Sequence, residues 1–515
     1  MQKTYTSNYL KIYFWNGLSI LMKFISLFIV VPYLTSEPAI YGIYAICISL
    51  GIFLNYADLG FLSASQKYAA EAFAQGNREE EMKNIGAGIF ILLLFSLALT
   101  LIFFYFSFFP QVIIKSLNTP FRIHTASSLL FILAGFTPFV VLRRTVEIIF
   151  MIRLDNFVNK RIFLIGNAIT ILSVLYFFGG ENYEIVSYYF FLKIIDLFAI
   201  IISIWIAKKK YSYDFITFFK YVRFDRKVFL RIQKLAISGF YLTLTWVLFY
   251  EFDQIFIGKV MGPKQVAIYA IALSFPVIFR QVFGIFFGPF AARSNHFIGI
   301  KDENGLKKFV FQLLIIAAPI TMFPPLVVAL LAKPFILSWV GIKFIESINI
   351  GILLALSYSF TFISYITSIV LYSKVRIKEM YIAGSVPVII FWFGVLFTYN
   401  KLGLLSFGIF RLLGMVFIQV FYLLILINYL NISFKIFIEK VIKPIILPVF
   451  FLIISLLFLK NILPIEKSKF NLLVVSISII GSLILSYTIL YFTSKSTRTY
   501  LKKNIINVLL KRNNV

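Results

Sequence analysis

Long apolar stretches alternate with short polar ones along almost the whole chain. Each apolar stretch has 17 to 27 residues, the length of an α-helix that crosses the hydrocarbon core of a bilayer. The apolar residues are continuous rather than alternating, which excludes the strands of a membrane β-barrel. The pattern predicts an all-α polytopic membrane protein with about fourteen transmembrane helices, at residues 11–34, 40–64, 84–109, 124–150, 162–180, 185–207, 232–258, 264–290, 309–332, 347–371, 380–399, 406–428, 444–460 and 471–493.

One stretch occurs twice, at an offset of 225 residues. Residues 38–49 and 263–274 each form a short polar turn that opens a long apolar helix, and they share six identities. Six predicted helices separate the copies, and an even number gives both the same orientation. The repeat therefore predicts two parallel six-helix lobes with a substrate site between them near the midplane. Chance agreement in an isoleucine-rich chain is the alternative.

The repeat divides the chain into four parts. Residues 1–207 hold helices 1–6 of the first lobe, and residues 232–430 hold helices 7–12 of the second. Residues 208–231 form a basic linker, predicted to be an amphipathic helix on the inner leaflet; an ordinary positively charged cytoplasmic loop is the alternative. Residues 431–515 carry helices 13 and 14, which lie outside the repeat, and a basic cytoplasmic tail.

Basic residues set the predicted orientation. The chain is 61% hydrophobic and 14% charged, with a net charge of +28. Lys and Arg number 33 on the side of the termini and 10 on the opposite side, so the positive-inside rule places both termini in the cytoplasm. Because the charge follows the topology, we expect no nucleic-acid partner. A first helix that runs past Val30 is too long for a cleavable signal peptide.

The residues that usually bind metals are scarce. Cys47 is the only cysteine, and the two histidines, His124 and His296, lie far apart. Intrachain disulfides are thereby excluded, and a cysteine- or histidine-based metal site is not expected. We predict no cofactor, and coupling to a proton or sodium ion stays open.

Six interior prolines mark helices that can break and line a cavity, because a broken helix frees carbonyl groups that need protein or water partners. Proline is also common in ordinary membrane helices, which is the alternative. The six are Pro138, Pro276, Pro319, Pro324, Pro325 and Pro387.

Charged residues inside predicted helices are the candidates for function, because a charge costs about 3 kcal/mol at the bilayer centre. Some can pair on their own helix. Glu147 lies four residues after Arg143 and three after Arg144, and Lys193 lies three residues before Asp196. These pairs are either structural or gates that break when the lobes move.

Three further cations have no acidic residue three or four positions away in the sequence: Lys23, Arg280 and Arg411. They are predicted to lie at different depths. Such a series suits the path of an anionic substrate, because Lys and Arg form charge-assisted hydrogen bonds to phosphate oxygens. Pairing across helices is the alternative.

Three acidic residues are candidates for coupling to protons or sodium: Asp58 in helix 2, and Glu251 and Asp253 toward the outer end of helix 7. We expect the last two near water, where snorkelling or capping is the competing role. Helix 10 is rich in hydroxyl groups, and its Tyr358 and Tyr365 are candidates for contacts with sugars. Ordinary packing of hydroxylated helices is the alternative there.

A series of short motifs runs through both halves of the chain. They are Pro32-Tyr33-Leu34-Thr35, Tyr41-Gly42-Ile43-Tyr44-Ala45, Asp58-Leu59-Gly60-Phe61, Ala74-Gln75-Gly76-Asn77, Phe252-Asp253-Gln254, Ile257-Gly258-Lys259, Met261-Gly262-Pro263 and Ile268-Tyr269-Ala270. Their order, over about residues 8–430, resembles that of the polysaccharide-repeat flippases. These are the O-antigen and capsule flippases of the multidrug/oligosaccharidyl-lipid/polysaccharide exporter superfamily.

The resemblance implies two six-helix lobes in a V shape, alternating access and a cationic cavity between the lobes. It implies a flippase that moves an undecaprenyl-diphosphate-linked oligosaccharide across a bacterial cytoplasmic membrane, for O-antigen (lipopolysaccharide) or capsule synthesis. Its expected partners are this polyprenyl-diphosphate-linked glycan, membrane lipids and the polysaccharide polymerase machinery. We expect it to act as a monomer.

Three alternatives stay open. Fourteen helices also occur in lipid II flippases of the superfamily, where the last two help to form a groove for the lipid tail. A cation-coupled multidrug exporter would want an acidic cavity, whereas Lys23 and Arg280 are cationic. A polysaccharide polymerase or ligase would be an enzyme and would need a large external loop. The longest predicted external loops, at residues 110–123 and 333–346, have about fourteen residues each, so we predict a transporter rather than an enzyme.

Overall fold

The structure is a computed structural model that describes residues 2–56, 58, 60–180, 182–494 and 498. These residues form helices and connecting turns, without a strand among them. The predicted basic tail, at residues 495–515, lies outside the described residues except for Arg498.

The contacts divide the chain into two units, Met1–Ala270 and Ile271–Val515. This division follows packing, whereas the predicted lobes follow the repeat, and the lobe boundaries stay a prediction. The first unit contains α1 (Gln2–Leu34), α2 (Pro38–Phe53), α3 (Phe61–Ala74), α4 (Arg78–Phe108), α5 (Pro120–Phe136), α6 (Phe139–Ile152), α7 (Asn156–Phe177), α8 (Ile185–Tyr211), α9 (Phe215–Lys220), α10 (Arg226–Tyr250), α11 (Asp253–Val260) and the start of α12 (Pro263–Gly299).

The second unit contains the rest of α12 and the remaining helices. They are α13 (Glu303–Leu330), α14 (Ala332–Val340), α15 (Ser347–Leu356), α16 (Thr361–Ser373), α17 (Ile377–Leu402), α18 (Leu405–Leu430), α19 (Phe434–Phe437), α20 (Lys443–Ile462) and α21 (Lys469–Thr493). A π-helical turn, Ile438–Ile442, joins α19 to α20.

Among the described residues, ten helices are long and apolar enough to cross a membrane, or thirteen when each of three bent helix pairs counts as one span. The chain is therefore a multi-pass membrane protein. The count falls below the predicted fourteen because helix 2 is not continuous. Its first part, α2, has only 16 residues. The carboxylate of Asp58 then accepts a hydrogen bond from the Leu62 amide, 3.2 Å away, at the start of α3.

Only one of the six prolines lies at a sharp bend. Pro138 stands between α5 and α6, which are bent by 46°, while the other five lie within continuous helices. A second bend of 46° separates α15 from α16 without a proline. There Ser357 donates to the carbonyl of Leu354 and Thr361 to that of Tyr358. Hydroxyl groups that bond the backbone in this way compete with the helix ladder.

The segment at residues 333–346, predicted as an external loop, is instead mostly a packed helix. It contains α14, in which every residue from Pro334 to Val340 is buried, and α14 packs against α13, α15 and α21. Nine residues are too few to span a bilayer. The apolar run of this segment is therefore part of the core of the second unit.

The linker holds a shorter helix than predicted. The helix α8 continues to Tyr211, and α9 has only six residues. The side chain of Asp214 accepts hydrogen bonds from the amides of Ile216 and Thr217 and so caps α9. Phe218 is buried in the first unit, while Ile216 and Phe219 are exposed. The amphipathic character is thus present over less than two turns, and its contact with the inner leaflet stays a prediction.

Helices 13 and 14, which fall outside the repeat, correspond to α20 and α21 and are integral to the second unit. Both pack against α13, and α21 also packs against α14. The ring of Tyr487 on α21 lies 5.2 Å from that of Phe323. Its hydroxyl donates to the carbonyl of Pro319 at 3.4 Å.

The two copies of the repeated stretch touch each other within the first unit. A Cβ atom on Gly42 would lie only 1.7 Å from the carbonyl oxygen of Pro263. Only glycine allows this approach of the two backbones. Close by in the sequence, Cys47 is fully buried.

Candidate functional site

The clearest charged site of the first unit is the accessible triad, made of Arg143, Arg144 and Glu147 on α6. Nε of Arg143 donates to Oε1 of Glu147 at 3.2 Å, and Nη1 of Arg144 donates to Oε2 at 3.1 Å. The pairing predicted from the spacing is confirmed. The side chains of Arg143, Arg144 and Glu147 remain 39%, 29% and 20% exposed. The protein therefore covers these pairs only in part.

The sequence of α6 explains why these charges share one side of the helix. Val141, Ile148 and Ile149 are buried in the core of the first unit. Thr145 is buried as well, and its hydroxyl donates to the carbonyl of Val141 at 2.8 Å. Apolar residues at this spacing turn one face of a helix inward. The charged positions fall outside that face, and the bend at Pro138 sets the direction of α6.

Further cations surround the triad. The charges that act most strongly on the ammonium of Lys23, on α1, are those of Lys160 and Arg143. Lys193 on α8 is within electrostatic reach of Asp196 and Arg143. Among the described residues no ion pair joins Lys193 to Asp196, because the ammonium lies over the ring of Tyr189, 5.0 Å from its centroid. The two side chains of that predicted pair therefore interact only at a distance, without an ion pair.

Lys160 and Phe163, both on α7, are members of the site that sequence reasoning missed. The ring centroid of Phe163 lies 4.5 Å from the guanidinium carbon of Arg143. The hydropathy pattern places Lys160 in a loop, because it precedes the predicted helix at residues 162–180. Their spacing of three residues places them on one face of α7. This spacing indicates a shared site only once α7 is known to begin at Asn156.

The site carries an excess of positive charge. Asp58 is in electrostatic reach of Arg144 and also caps α3. The members of this group, called the cation cluster below, are Lys23, Arg143, Arg144, Lys160 and Lys193, with the carboxylates Asp58, Glu147 and Asp196. The cluster holds five cationic and three acidic side chains, a formal excess of two positive charges when all are ionised. Such a cluster favours a dianionic ligand.

The acidic residues predicted at the outer end of helix 7 have different surroundings. Glu251 is half-buried and follows the last residue of α10. Asp253 is fully buried, so the expectation that it lies near water is wrong. Its carboxylate accepts a hydrogen bond from the hydroxyl of Tyr269 at 2.6 Å. The break between α10 and α11 turns Asp253 inward at the first position of α11, where it also faces the positive end of that helix.

The candidate residues of the second unit are packed among aromatic rings. Arg411 on α18 is 3% exposed, and its guanidinium lies 4.5 Å from the ring centroid of Phe391. Tyr358 is buried at the bend between α15 and α16. Tyr365 stacks on Phe287 with 4.7 Å between centroids. Arg280 on α12 is half-buried. The substrate roles of these four residues stay predictions.

A second group of charges, the buried triad, lies near the predicted cytoplasmic ends of the first unit. It consists of Arg78 and Glu81 at the start of α4 and Arg153 after α6. Glu81 accepts from Arg78 at 3.3 Å and from Arg153 at 2.7 Å. Sequence reasoning missed it, because Arg153 is 72 residues from Glu81. The spacing of three residues between Arg78 and Glu81 was the available signal.

Among the described residues, no three His, Cys, Asp or Glu side chains form a group that could hold a metal ion.

Similarity to solved structures is found over the whole chain. A lipid II flippase, MurJ, in an inward closed conformation aligns over 94% of this chain and 99% of its own, with a TM-score of 0.64 and 16% identity. A multidrug resistance MATE family transporter in an inward-facing conformation aligns over 82% and 96%, with a TM-score of 0.55 and 13% identity.

The second of these structures is described as a member of the MOP superfamily. So is a transporter from Pyrococcus furiosus with a binding pocket of reverse polarity, which aligns over 83% of this chain and 96% of its own, with a TM-score of 0.52 and 12% identity. The chain shares its fold with these transporters. No family model and no curated protein matches the chain. At these identities the likeness shows the fold alone, and the substrates remain properties of those proteins.

Proposed function

We propose that this protein is a flippase for a polyprenyl-diphosphate-linked glycan. Its substrate would be an undecaprenyl-diphosphate-linked oligosaccharide used for surface polysaccharide. The observation that carries the proposal is the accessible cation cluster within a membrane-spanning part of a MOP-type fold. The protein would act as a transporter and catalyse no covalent step.

The physical problem for such a protein is the passage of a diphosphate group and sugars through hydrocarbon. A charge at the bilayer centre costs about 3 kcal/mol or more. The guanidinium groups of Arg143 and Arg144 would lower this cost by forming charge-assisted hydrogen bonds to the phosphate oxygens. Lys23 and Lys193 would add charge without fixed geometry, while the polyprenyl tail stayed in lipid.

Glu147 would act as the exchangeable partner in this mechanism. In the absence of substrate it holds both arginines, which prevents two bare cations in the membrane. An entering diphosphate would take over the hydrogen bonds of one or both arginines. Alternating access of the predicted lobes would then expose the loaded site to the other side. Coupling to a proton or sodium gradient, with Asp58 as a candidate, belongs to the same proposal.

The second candidate is transport of lipid II for peptidoglycan synthesis. The likeness to a lipid II flippase over 94% of this chain favours it. Both substrates are polyprenyl diphosphates, so the cation cluster serves either. A multidrug exporter of cationic compounds is less compatible with an accessible site that has an excess of positive charge.

Complementation distinguishes the two flippase functions. The chain is expressed in one strain that lacks its polysaccharide flippase and in another depleted of its lipid II flippase. Restored surface polysaccharide with no rescue of growth in the second strain is the expected result. Rescue of growth alone would establish the lipid II function instead. Failure in both strains, with the protein present in the membrane, would overturn the flippase proposal.

A further inference from the structure

A cavity of about 650 Å³ opens where α20 ends and α21 begins. Lys333 of α14 and Lys460 of α20 provide its charged groups, Asn461 and Asn471 its amides, and Glu466 a single carboxylate. Among the described residues, no ion pair engages the ammonium of Lys333 or Lys460. The cavity therefore offers two cations and hydrogen-bonding amides at one end of two membrane-spanning helices.

The loop between α20 and α21 is held in place against the rest of the second unit. The amide of Ser468 donates to the carbonyl of Ser338 at 3.2 Å. The side chain of Asn471 donates to the carbonyl of Glu466 at 3.0 Å. A Cβ on Gly341 would lie 3.3 Å from Cδ of Lys467, so the lysine stem covers this glycine. These contacts hold the loop that supplies most of the lining residues of the cavity.

The charge of this region is unusual for its side of the membrane. External segments generally carry few Lys and Arg residues. Of the ten basic residues on the predicted outer side, five belong to α14 and its following turn or to the α20–α21 hairpin: Lys333, Lys343, Lys460, Lys467 and Lys469. Burial lowers the pKa of Lys467, and the charge of Lys343 lowers it further. A bound anion would relieve this repulsion.

We propose that this cavity binds the phosphate of an anionic phospholipid head group. Lys333 and Lys460 would contact the phosphate, and the two asparagines would contact its hydroxyl-bearing substituent. A lipid fits better than a free anion because apolar side chains within two residues of the lining residues in the sequence are exposed, among them Phe458, Ile462 and Phe470. The ends of spanning helices lie at head-group depth, so the acyl chains would run along these side chains.

Thermal unfolding of the full-length protein in detergent tests the site. The probes are phosphatidylglycerol, phosphatidylcholine with the same acyl chains, and inorganic phosphate. Phosphatidylglycerol should raise the Tm by roughly 3 °C, because a ligand that binds only the folded state stabilises it. The other two probes should have little effect. Lys333→Gln/Lys460→Gln should lose at least half of the rise, and Lys333→Arg/Lys460→Arg should keep it.

Lys401→Gln is the matched control, because Lys401 is an exposed lysine at the end of α17, on the same predicted side. It should respond to phosphatidylglycerol as the unaltered chain does. A full response in the double glutamine variant would overturn the proposal, as would an equal response to phosphatidylcholine. An equal response to inorganic phosphate would replace the lipid by a free anion and overturn it too. The assay measures binding alone, so its failure leaves the proposed transport untouched.

Discussion

The first unit contains two triads of the same composition, two arginines and one glutamate, which differ in how deeply the glutamate and one arginine are buried. In the buried triad, Glu81 is fully buried and the side chain of Arg153 is 4% exposed, while that of Arg78 is 35% exposed. In the accessible triad, the side chain of Glu147 is 20% exposed and its arginines more so. We therefore expect the two sets of ion pairs to have different roles, according to what else the arginines contact.

The arginines of the buried triad also contact protein groups other than Glu81. Arg78 donates to the carbonyl of Tyr211 at 3.2 Å and lies 4.4 Å from the ring centroid of Tyr213. Arg153 donates to the carbonyl of Ile149 at 2.9 Å. Such a network joins the helix ends of the first unit. In the accessible triad all three side chains are partly exposed, and further cations lie within electrostatic reach of it.

The largest expected effect is on stability, from Glu81→Gln. Removing one partner of a buried ion pair leaves an uncompensated charge, so the free energy of unfolding should fall by about 3 kcal/mol. Glu147→Gln should lower it by less than about 1 kcal/mol, because its site is accessible. Thermal unfolding in detergent measures both. Equal losses for the two variants would remove the distinction between the triads.

A second buried carboxylate, that of Asp253, extends the comparison. Tyr269→Phe removes the hydroxyl that donates to Asp253, and the free energy of unfolding should fall by about 2 kcal/mol, the range of a hydrogen bond to a charged group. Tyr44→Phe is the control, since Tyr44 is the equivalent position in the first copy of the repeat. If Tyr269→Phe and Tyr44→Phe unfold at the same temperature, the hydroxyl of Tyr269 contributes no such bond.

Transport should depend on the accessible triad. Arg143→Ala/Arg144→Ala should reduce flipping at least tenfold, which corresponds to about 1.4 kcal/mol, with little change in thermal stability. Surface polysaccharide in the complemented strain, corrected for protein amount, measures the effect. Arg143→Lys/Arg144→Lys should keep only part of the flipping activity, because lysine lacks the paired donors of a guanidinium. Full activity of the alanine variant would exclude these arginines from the substrate path.

The smallest effect is expected from neighbouring cations on α7. Lys160→Ala should reduce flipping roughly threefold, because Lys160 supplies charge at a distance rather than a direct contact. Arg161→Ala should leave it unchanged, since Arg161, which is exposed as Lys160 is, is not part of the cation cluster. The same complementation assay applies. A larger effect of Arg161→Ala would show that the cluster has been assigned to the wrong face of α7.

Hydropathy was sufficient for most of the fold and failed where short segments depend on tertiary contacts. It could not separate α14 from a loop, because the run Phe335–Val340 is apolar but too short to span. Hydropathy also predicted α2 and α3 as one helix. A hydropathy window does not detect the hydrogen bond that the Leu62 amide donates to the side chain of Asp58. The remaining helices were predicted from long, continuous apolar runs.

The candidate site was predictable only where its members share a helix. The spacing of Arg143, Arg144 and Glu147 fixes their distances through the helix geometry, and these pairs are present. Lys23 and Lys160 meet only through the packing of α1 on α7. Asp253 was misplaced for a related reason, since the break after Tyr250 turns it inward. No local pattern encodes such tertiary relations.

The complete burial of Cys47 has a chemical consequence for the whole chain. The one thiol of the sequence is out of reach of water and of thiol reagents. A cysteine introduced elsewhere would thus be the single reactive thiol in an otherwise unaltered protein. Reaction with a membrane-impermeant maleimide at position 401 but not at position 223 would place these two loops on opposite faces of the membrane. The predicted orientation of every loop can be read in this way.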